Sequence, residues 1–275
     1  RSELQIFQEH LVLQKIKEIR KHLPKTGCIK LYKELNNGFL QTLGITMGRD
    51  AIFDLVRENG MLIKSKKRYA YTTNSHHRYR IHPDLVQRKY PDQAEKTWVS
   101  DITYINTIAG FNYLSLITDA YSRKIVGYYL SIDLKASGCI KALEQAIKSR
   151  LYPEKSLIHH SDRGTQYCCD DYVTKLKQYS LQISMTQSGS PYDNAIAERV
   201  NGILKMEFDL YQTFKSHKHA SMWIEQAIEK YNNRRLHASC NYQTPENTHN
   251  NERLSKFINN VNLSQEQNSS IVNPI

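Results

Sequence analysis

The sequence predicts an α/β protein: a mixed sheet flanked by helices, preceded by a small all-α helix-turn-helix domain. Three observations predict it. Apolar residues recur at helical spacing in the first sixty or so positions. From Trp98 the period changes to runs rich in Val, Ile, Thr and Tyr, separated by turn signals. Beyond residue 136, helical and strand patterns alternate, as in a sheet covered by helices.

Residues 3–22 place Leu4, Phe7, Leu11, Leu13, Ile16 and Ile19 near one face of a helix, which Leu23-Pro24-Lys25-Thr26-Gly27 ends. A short helix over 29–37 and another over 49–59 follow. The second has Ile52, Phe53, Leu55 and Val56 as its buried stripe and stops at Asn59-Gly60. Three such helices can form a helix-turn-helix bundle or an ordinary helical subdomain. Strands are predicted over 98–106, 111–118 and 123–132, with turns at Ala109-Gly110 and Asp119–Ser122. Then come a helix over 136–151, a strand at 156–161, a helix near 170–179 and a strand at 181–186. Two more helices are predicted, over 194–208 and 217–233. The domain limits read from this are 1–63 (helical), 64–95 (basic linker), 96–250 (core) and 251–275, an Asn- and Ser-rich disordered tail.

A chain of 275 residues carrying +11 net charge, with a pI near 9.3, favours a polyanionic partner, an unspecialised basic surface being the alternative. From Asn59 to Pro83 there is no acidic residue, while Lys64, Lys66, Lys67, Arg68, Arg78 and Arg80 alternate with Tyr69, Tyr71 and Tyr79. Basic residues interleaved with stacking rings fit a nucleic-acid-contacting linker; a flexible connector is the plain alternative. The five cysteines are odd in number and contain no C-x-x-C pair, which speaks against a disulfide framework or zinc cluster and for a reducing, cytoplasmic setting. Cys168-Cys169 read as buried small residues. No apolar run approaches the roughly 20 residues of a helical membrane span, which speaks against one. The N-terminus does not read as a signal peptide, and a start at Arg1 without Met fits a processed chain or a piece of a longer product.

Three acidic residues stand on separate elements. Asp101 falls mid-strand and shares a face with Val99 and Thr103; Asp162 falls just past a strand end; Glu198 lies on a helix, with 35 residues between it and Asp162. At 100° per residue, Ile196, Val200, Ile203 and Leu204 lie opposite Glu198, while Asn194, Asn201 and Lys205 fall at roughly 320°, 300° and 340°, beside it. Asp193-Asn194 offer the helix its start and N-cap. Breaking or joining a phosphodiester needs an activated oxygen nucleophile, a stabilised leaving oxygen and charge relief, all of which two Mg²⁺ ions about 4 Å apart supply. Mg²⁺ takes hard oxygen ligands, so three converging carboxylates suffice, whereas without metal they raise one another's pKa. Lys205 and Asn201 could then hold a phosphate or base. Asp119 reads better as a turn former than as a ligand. His160 fits either a phosphate contact or a structural role. Gly202 either admits DNA beside Glu198 or eases helix packing.

At these residues the chain resembles transposases of bacterial insertion sequences with an Asp-Asp-35-Glu core, and within them the insertion-sequence-three family, related to retroviral integrases. The likeness runs through Trp98-Val99-Ser100-Asp101-Ile102-Thr103-Tyr104, Asp119-Ala120-Tyr121-Ser122-Arg123, His159-His160-Ser161-Asp162-Arg163-Gly164-Thr165-Gln166-Tyr167 and Ser190-Pro191-Tyr192-Asp193-Asn194-Ala195-Ile196-Ala197-Glu198. It continues in Tyr231-Asn232-Asn233-Arg234-Arg235-Leu236-His237 and Thr244-Pro245-Glu246, so that it spans about residues 96–248. Leu236 stands where the family usually has Pro, and Cys240 where it has an apolar residue.

The resemblance implies an RNase H-like core, with Asp101, Asp162 and Glu198 as catalytic and metal-binding residues for two Mg²⁺ (or Mn²⁺) ions. It makes Lys205 the basic residue seven positions after the Glu. It implies no structural zinc. From their places beside the acids, Asn201, His160 and Arg163 join the basic linker residues as expected DNA contacts. The expected activity is cleavage of DNA at element ends, with water first freeing a 3′-OH and that hydroxyl then attacking a second phosphodiester. The family's usual first product is a circular intermediate. The expected partners are terminal inverted repeats, target DNA, further copies of the chain and the product of an upstream frame, in a bacterial cytoplasm beside the nucleoid. Two alternatives remain: an RNase H-like nuclease that only hydrolyses, and a DNA-binding regulator with an inactive core.

Overall fold

The computed structural model describes residues 2–63, 78–87, 89, 91–187 and 194–251. Lys64, Lys66, Lys67 and Arg68, the 188–193 segment and the tail from 252 lie outside the described residues. The elements in order are α1 (Glu3–His22), α2 (Cys28–Asn36), α3 (Phe39–Thr42), α4 (Arg49–Glu58), β1 (Thr97–Thr107), β2 (Gly110–Asp119), β3 (Ile125–Ser131) and α5 (Ala136–Lys148). They continue with β4 (Ile158–Ser161), α6 (Thr165–Cys168), α7 (Asp170–Gln178), β5 (Gln182–Met185), α8 (Ala195–Glu207) and α9 (His217–Asn233).

The five strands form one mixed sheet in the order β3-β2-β1-β4-β5, antiparallel through β3-β2-β1 and parallel through β1-β4-β5. Alternation along β1 sorts its side chains onto two faces. Trp98 and Ile102 join Ile117, Val126, Leu143, Tyr172 and Leu176 under α5 and α7. On the other face Ile105, Leu114, Leu116 and Leu130 pack with Val200, Ile203 and Leu204 of α8 and with Ile224, Ile228 and Tyr231 of α9. The result is a helix–sheet–helix sandwich with β1 at its centre, the mixed sheet flanked by helices that was expected.

The N-terminal helices build a core of their own from Val12, Ile16, Leu31, Leu35, Leu40, Ile52 and Val56. Here the predicted stripes need correction. Leu4 and Phe7 are 65% and 61% exposed, and Phe53 is 38% exposed. The reason is length: at 1.5 Å per residue a 20-residue α1 runs about 30 Å, twice α2 or α4, so its first half extends past them. Phe53 instead lies under the Arg57 guanidinium, 4.7 Å from its ring centre.

This helical unit is fastened to the core. Leu23 belongs to the core cluster of α8 and α9. The Lys25 ammonium donates to the Met206 carbonyl at 2.8 Å and pairs with Asp209. Lys30 pairs with Glu207 at 3.4 Å.

The 78–87 stretch, read from the sequence as linker, lies along the outer edge of β5. Met185 N–H donates to the Pro83 carbonyl, and Leu85 N–H to the Ser184 hydroxyl. Glu95, at the other end of the expected linker, is buried and accepts from Arg150 Nε and the backbone of Leu151 and Tyr152.

The tail motif after α9 acts as a latch. Asn232 donates to the Ile125 carbonyl and accepts from the Ile125 N–H, capping the start of β3. Tyr231 donates to the Arg123 carbonyl, Arg235 holds Glu207, and Glu246 pairs with Lys124 at 2.8 Å. Cys240 is buried beside the Ser122 carbonyl.

Candidate active site

The β1–β4 ladder ends with Ser100 opposite Ser161. Asp101 and Asp162 are the next residues on those two parallel strands. Adjacent strands lie about 4.8 Å apart, so continuing the register sets the two carboxylates side by side on one face. The opposite face at this level is apolar and aromatic: the Ser100 hydroxyl lies 2.7 Å from His159 Nε2, which Tyr172 also approaches at 2.9 Å.

Helix α8 brings the third acid. Its apolar side packs as the phase predicted, with Ala197 and Ile196 against Val99 and Ala120, and Val200 in the main core. Glu198 therefore points outward and is exposed. Asn201 is buried, and its amide donates to Asp101 Oδ2 at 2.6 Å, while Ile102 N–H donates to Oδ1 at 2.9 Å. Asp162 Oδ1 accepts from Gly164 N–H at 2.9 Å. A Cβ on Gly164 would come within 3.0 Å of that same oxygen, so the missing side chain leaves the carboxylate its place.

The charges feel one another. Burial, and then the negative charge of Asp162, push the Asp101 carboxyl up to about 7, against the pull of Asn201 and Ile102; Glu198 adds a smaller upward push. Burial and Asp162 also raise Glu198. Lys205 is half-buried, which lowers its pKa, while Asp101 pulls it back up. Its ammonium lies 5.5 Å from the Tyr211 ring centre. Among the described residues no three His, Cys, Asp or Glu side chains stand close enough to hold a metal ion together. The carboxylates are thus coupled electrostatically, with Glu198 turned out rather than drawn in.

The other expected site residues separate into two groups. His160 is 1% exposed and shares a 2.8 Å hydrogen bond with Ser184, so burial in the sheet removes it from DNA contact. Asn201 is likewise spent on Asp101. Each side chain has a partner inside the fold, in line with the structural role that the sequence left open for His160. Arg163 is half-buried and donates to the Thr186 carbonyl at 2.6 Å. Arg78 and Arg80 are exposed.

Asp119 is a turn former, as read: it accepts from Ser122 N–H and hydroxyl at 2.8 Å each and from Glu95 N–H at 2.7 Å. A Cβ on Gly202 would meet nothing within 4 Å, which removes helix packing as the reason for that glycine. Cys168 is buried against the Met185 sulfur, and Cys169 is half-buried. The sequence reading missed Asn194, expected as a helix cap. It occupies the N-cap position without making a cap bond and donates instead to the Ser100 carbonyl at 3.0 Å. It also missed a groove between the helical unit and the end of α8, lined by Ile29, Lys30, Phe53, Lys205, Met206 and Tyr211 among others. Basic and apolar residues far apart in the chain meet there, a pairing with no sequence signal.

Comparison with known proteins identifies the lineage. Residues 91–191 and 179–245 each match an integrase core domain family. The insertion element IS600 uncharacterized 31 kDa protein of Shigella sonnei is 37% identical over 204 residues, covering 74% of this chain and 75% of that protein. The transposase for insertion sequence element IS904 of Lactococcus lactis subsp. lactis is 30% identical over 249 residues, covering 89% of this chain and 96% of that protein. Among solved structures, the HTLV-2 integrase catalytic core domain in complex with magnesium is 18% identical, with a TM-score of 0.46 and coverage of 57% of this chain and 98% of that one. With both halves of an integrase core matched, and with relatives of this identity aligned over most of their length, the chain belongs to the DDE transposases of bacterial insertion sequences, in the insertion-sequence-three (IS3) family.

Proposed function

We propose that Asp101, Asp162 and Glu198 are the metal-binding catalytic residues of this transposase. In this reading it cuts DNA at the ends of a mobile element and joins the freed 3′-OH to a second phosphodiester. The observation that carries the reading is the juxtaposition of Asp101 and Asp162 at the end of the β1–β4 ladder, with α8 tied over it through Asn201.

The donor chemistry of the three carboxylates suits two Mg²⁺ or Mn²⁺ ions, with Glu198 turning in to join the aspartates. Every donor is a hard carboxylate oxygen. Burial and Asp162 push the Asp101 carboxyl up although Lys205 lies within electrostatic reach, and a divalent ion would favour its charged form. Bound there, the ions would polarise the scissile phosphodiester and stabilise both the entering and the leaving oxygen.

The protein's own part is placement. Asp101 and Asp162 are held by backbone N–H groups, and Glu198 turns in from its exposed position. Lys205, on the same face of α8, meets the phosphate charge. Water is the first nucleophile and the 3′-OH the second, each in line with the leaving oxygen, without a covalent link to the protein.

Lys64, Lys66, Lys67, Arg68, Arg78, Arg80 and Arg163 contribute phosphate contacts, and the helical unit over 1–63 binds the terminal inverted repeats. Cutting two ends calls for more than one copy on the DNA, and the upstream-frame product is a further partner. No helix among the described residues is long and apolar enough to cross a membrane. The cytoplasmic, nucleoid-associated setting is part of this proposal.

The test is strand transfer with oligonucleotides carrying the element's end, comparing the wild-type chain with Glu198→Gln. Loss of both cutting and joining in the variant supports the assignment. Hydrolysis without joining by the wild type supports the nuclease alternative. Activity that persists in Glu198→Gln overturns the catalytic assignment.

A further inference from the structure

Two amides on α8 reach β1 from either side of Glu198. Asn194 stands four residues before it and Asn201 three residues after, on the same face of the helix. Their side chains end on successive β1 residues: Asn194 Nδ2 on the Ser100 carbonyl at 3.0 Å, and Asn201 Nδ2 on Asp101 Oδ2 at 2.6 Å. The anchors are about 10 Å apart along the helix axis, whereas their targets are about 3.3 Å apart along the strand. The two bonds therefore slant toward each other as they cross from helix to strand.

Both side chains are buried, at 6% and 7% exposure. Among the described residues, neither amide oxygen has a hydrogen-bond partner. Asn194 also leaves unused the cap bond that its position at the start of α8 offers. An apolar residue at either position would take a donor from β1, at the Ser100 carbonyl or at Asp101 Oδ2, so the two asparagines serve β1 and not helix packing alone.

We propose that Asn194 and Asn201 are positioning residues, a two-point clamp that sets α8, and with it Glu198, at a fixed place over Asp101. This rests on the reading of Asp101, Asp162 and Glu198 as the metal-binding residues. One anchor would allow the helix to pivot; two prevent both rotation and sliding. A slip by one helical residue shifts the helix by about 1.5 Å and turns it by about 100°, which takes both amides away from β1. Asn201 also holds one oxygen of the Asp101 carboxylate, in the way that outer partners orient metal ligands.

The experiment uses the full chain with an unspecific duplex oligonucleotide and Mn²⁺ as the probe. Mn²⁺ binding is followed by electron paramagnetic resonance in wild type, Asn201→Leu, Asn194→Ala and Asp101→Asn, and thermal unfolding is recorded without metal. The clamp predicts Mn²⁺ binding weaker by about 10- to 100-fold in both asparagine variants, with metal-free DNA affinity unchanged. It also predicts that excess Mn²⁺ restores their cleavage rate, which a purely structural defect would not do. If Asn201→Leu does not fold, Asn201→Ser, whose hydroxyl falls short of Asp101, takes its place.

Mn²⁺ affinity within twofold of wild type in both asparagine variants, with Asp101→Asn losing binding, overturns the clamp and leaves the metal-site reading intact. Wild-type Mn²⁺ binding in Asp101→Asn overturns both.

Discussion

Glu207, at the end of the helix that carries Glu198, accepts from Arg235 Nε at 2.7 Å and from Arg235 Nη2 at 2.6 Å. Arg235 is 4% exposed and lies beyond α9, and Lys30 of the helical unit joins the same carboxylate at 3.4 Å. One carboxylate therefore ties three separate parts of the chain together. Its own pKa falls despite burial, because Arg235 and then Lys30 favour the charged form.

Arg235→Ala is expected to destabilise the chain by about 3 kcal/mol, since it leaves Glu207 charged and largely buried with one weak partner. Urea unfolding measures this. A loss under about 1 kcal/mol would show that the fork contributes little.

Gly202→Ala is expected to stabilise α8 by up to about 1 kcal/mol, because alanine is the better helix former and its methyl meets nothing. If DNA passes over the Glu198 face, the same substitution lowers strand transfer several-fold. A variant that is both more stable and fully active would remove Gly202 from the DNA surface.

Gly164→Ala acts on Asp162. The backbone there, φ −61 and ψ 144, suits alanine, so the fold should survive. The new methyl presses on Asp162 Oδ1 and should displace the carboxylate, lowering metal-dependent cleavage about tenfold or more, with little change in unfolding temperature. Unchanged cleavage would show that Asp162 tolerates the shift.

Acid should weaken the fold in a defined window. Burial, with help from Arg235, Arg123 and Lys30, holds His237 down to about 3; burial and His160 hold His159 down to about 3. An unfolded histidine takes its proton near 6.5. Above that pH neither state is charged, and these groups leave stability unaltered. Between about 6.5 and 3 only the unfolded chain gains the proton, so stability falls as pH falls, by up to about 1.4 kcal/mol per pH unit for each histidine. Unfolding midpoints between pH 7.5 and 5 would show this, and His237→Asn should flatten the curve. Because the Asp101 carboxyl, raised to about 7, acts in the opposite sense as pH falls, the readout is the difference between wild type and His237→Asn; a difference independent of pH in that range would refute it.

The sequence made the sheet and the phase of α8 legible, because period-2 and period-3.6 patterns are local and long enough to read. Helices α3 and α6, four residues each, show no period and escaped notice. Asp101, Asp162 and Glu198 were readable as residues, and the strand-end position of Asp162 was too. Their side-by-side setting needed the β1–β4 register, which no local pattern encodes. His160 and Asn201 were read as facing DNA because polar residues near acids suggest a ligand surface. Whether an amide turns outward or back to a strand depends on the gap between helix and sheet, a distance set only when the two layers pack. The same holds for Asn194, whose place at the helix start suggested a cap. Leu4, Phe7 and Phe53 had the right period but no neighbour to bury them.

The segment along β5 has one more consequence. At Ser184 and Met185 the outer side of that strand already engages Pro83 and Leu85 of the same chain. That border of the sheet has little left to offer a strand from a neighbouring molecule. A partner docking against that border would have to rely mostly on side chains, and an interface of that kind can be tuned by point substitution without re-pairing the backbone.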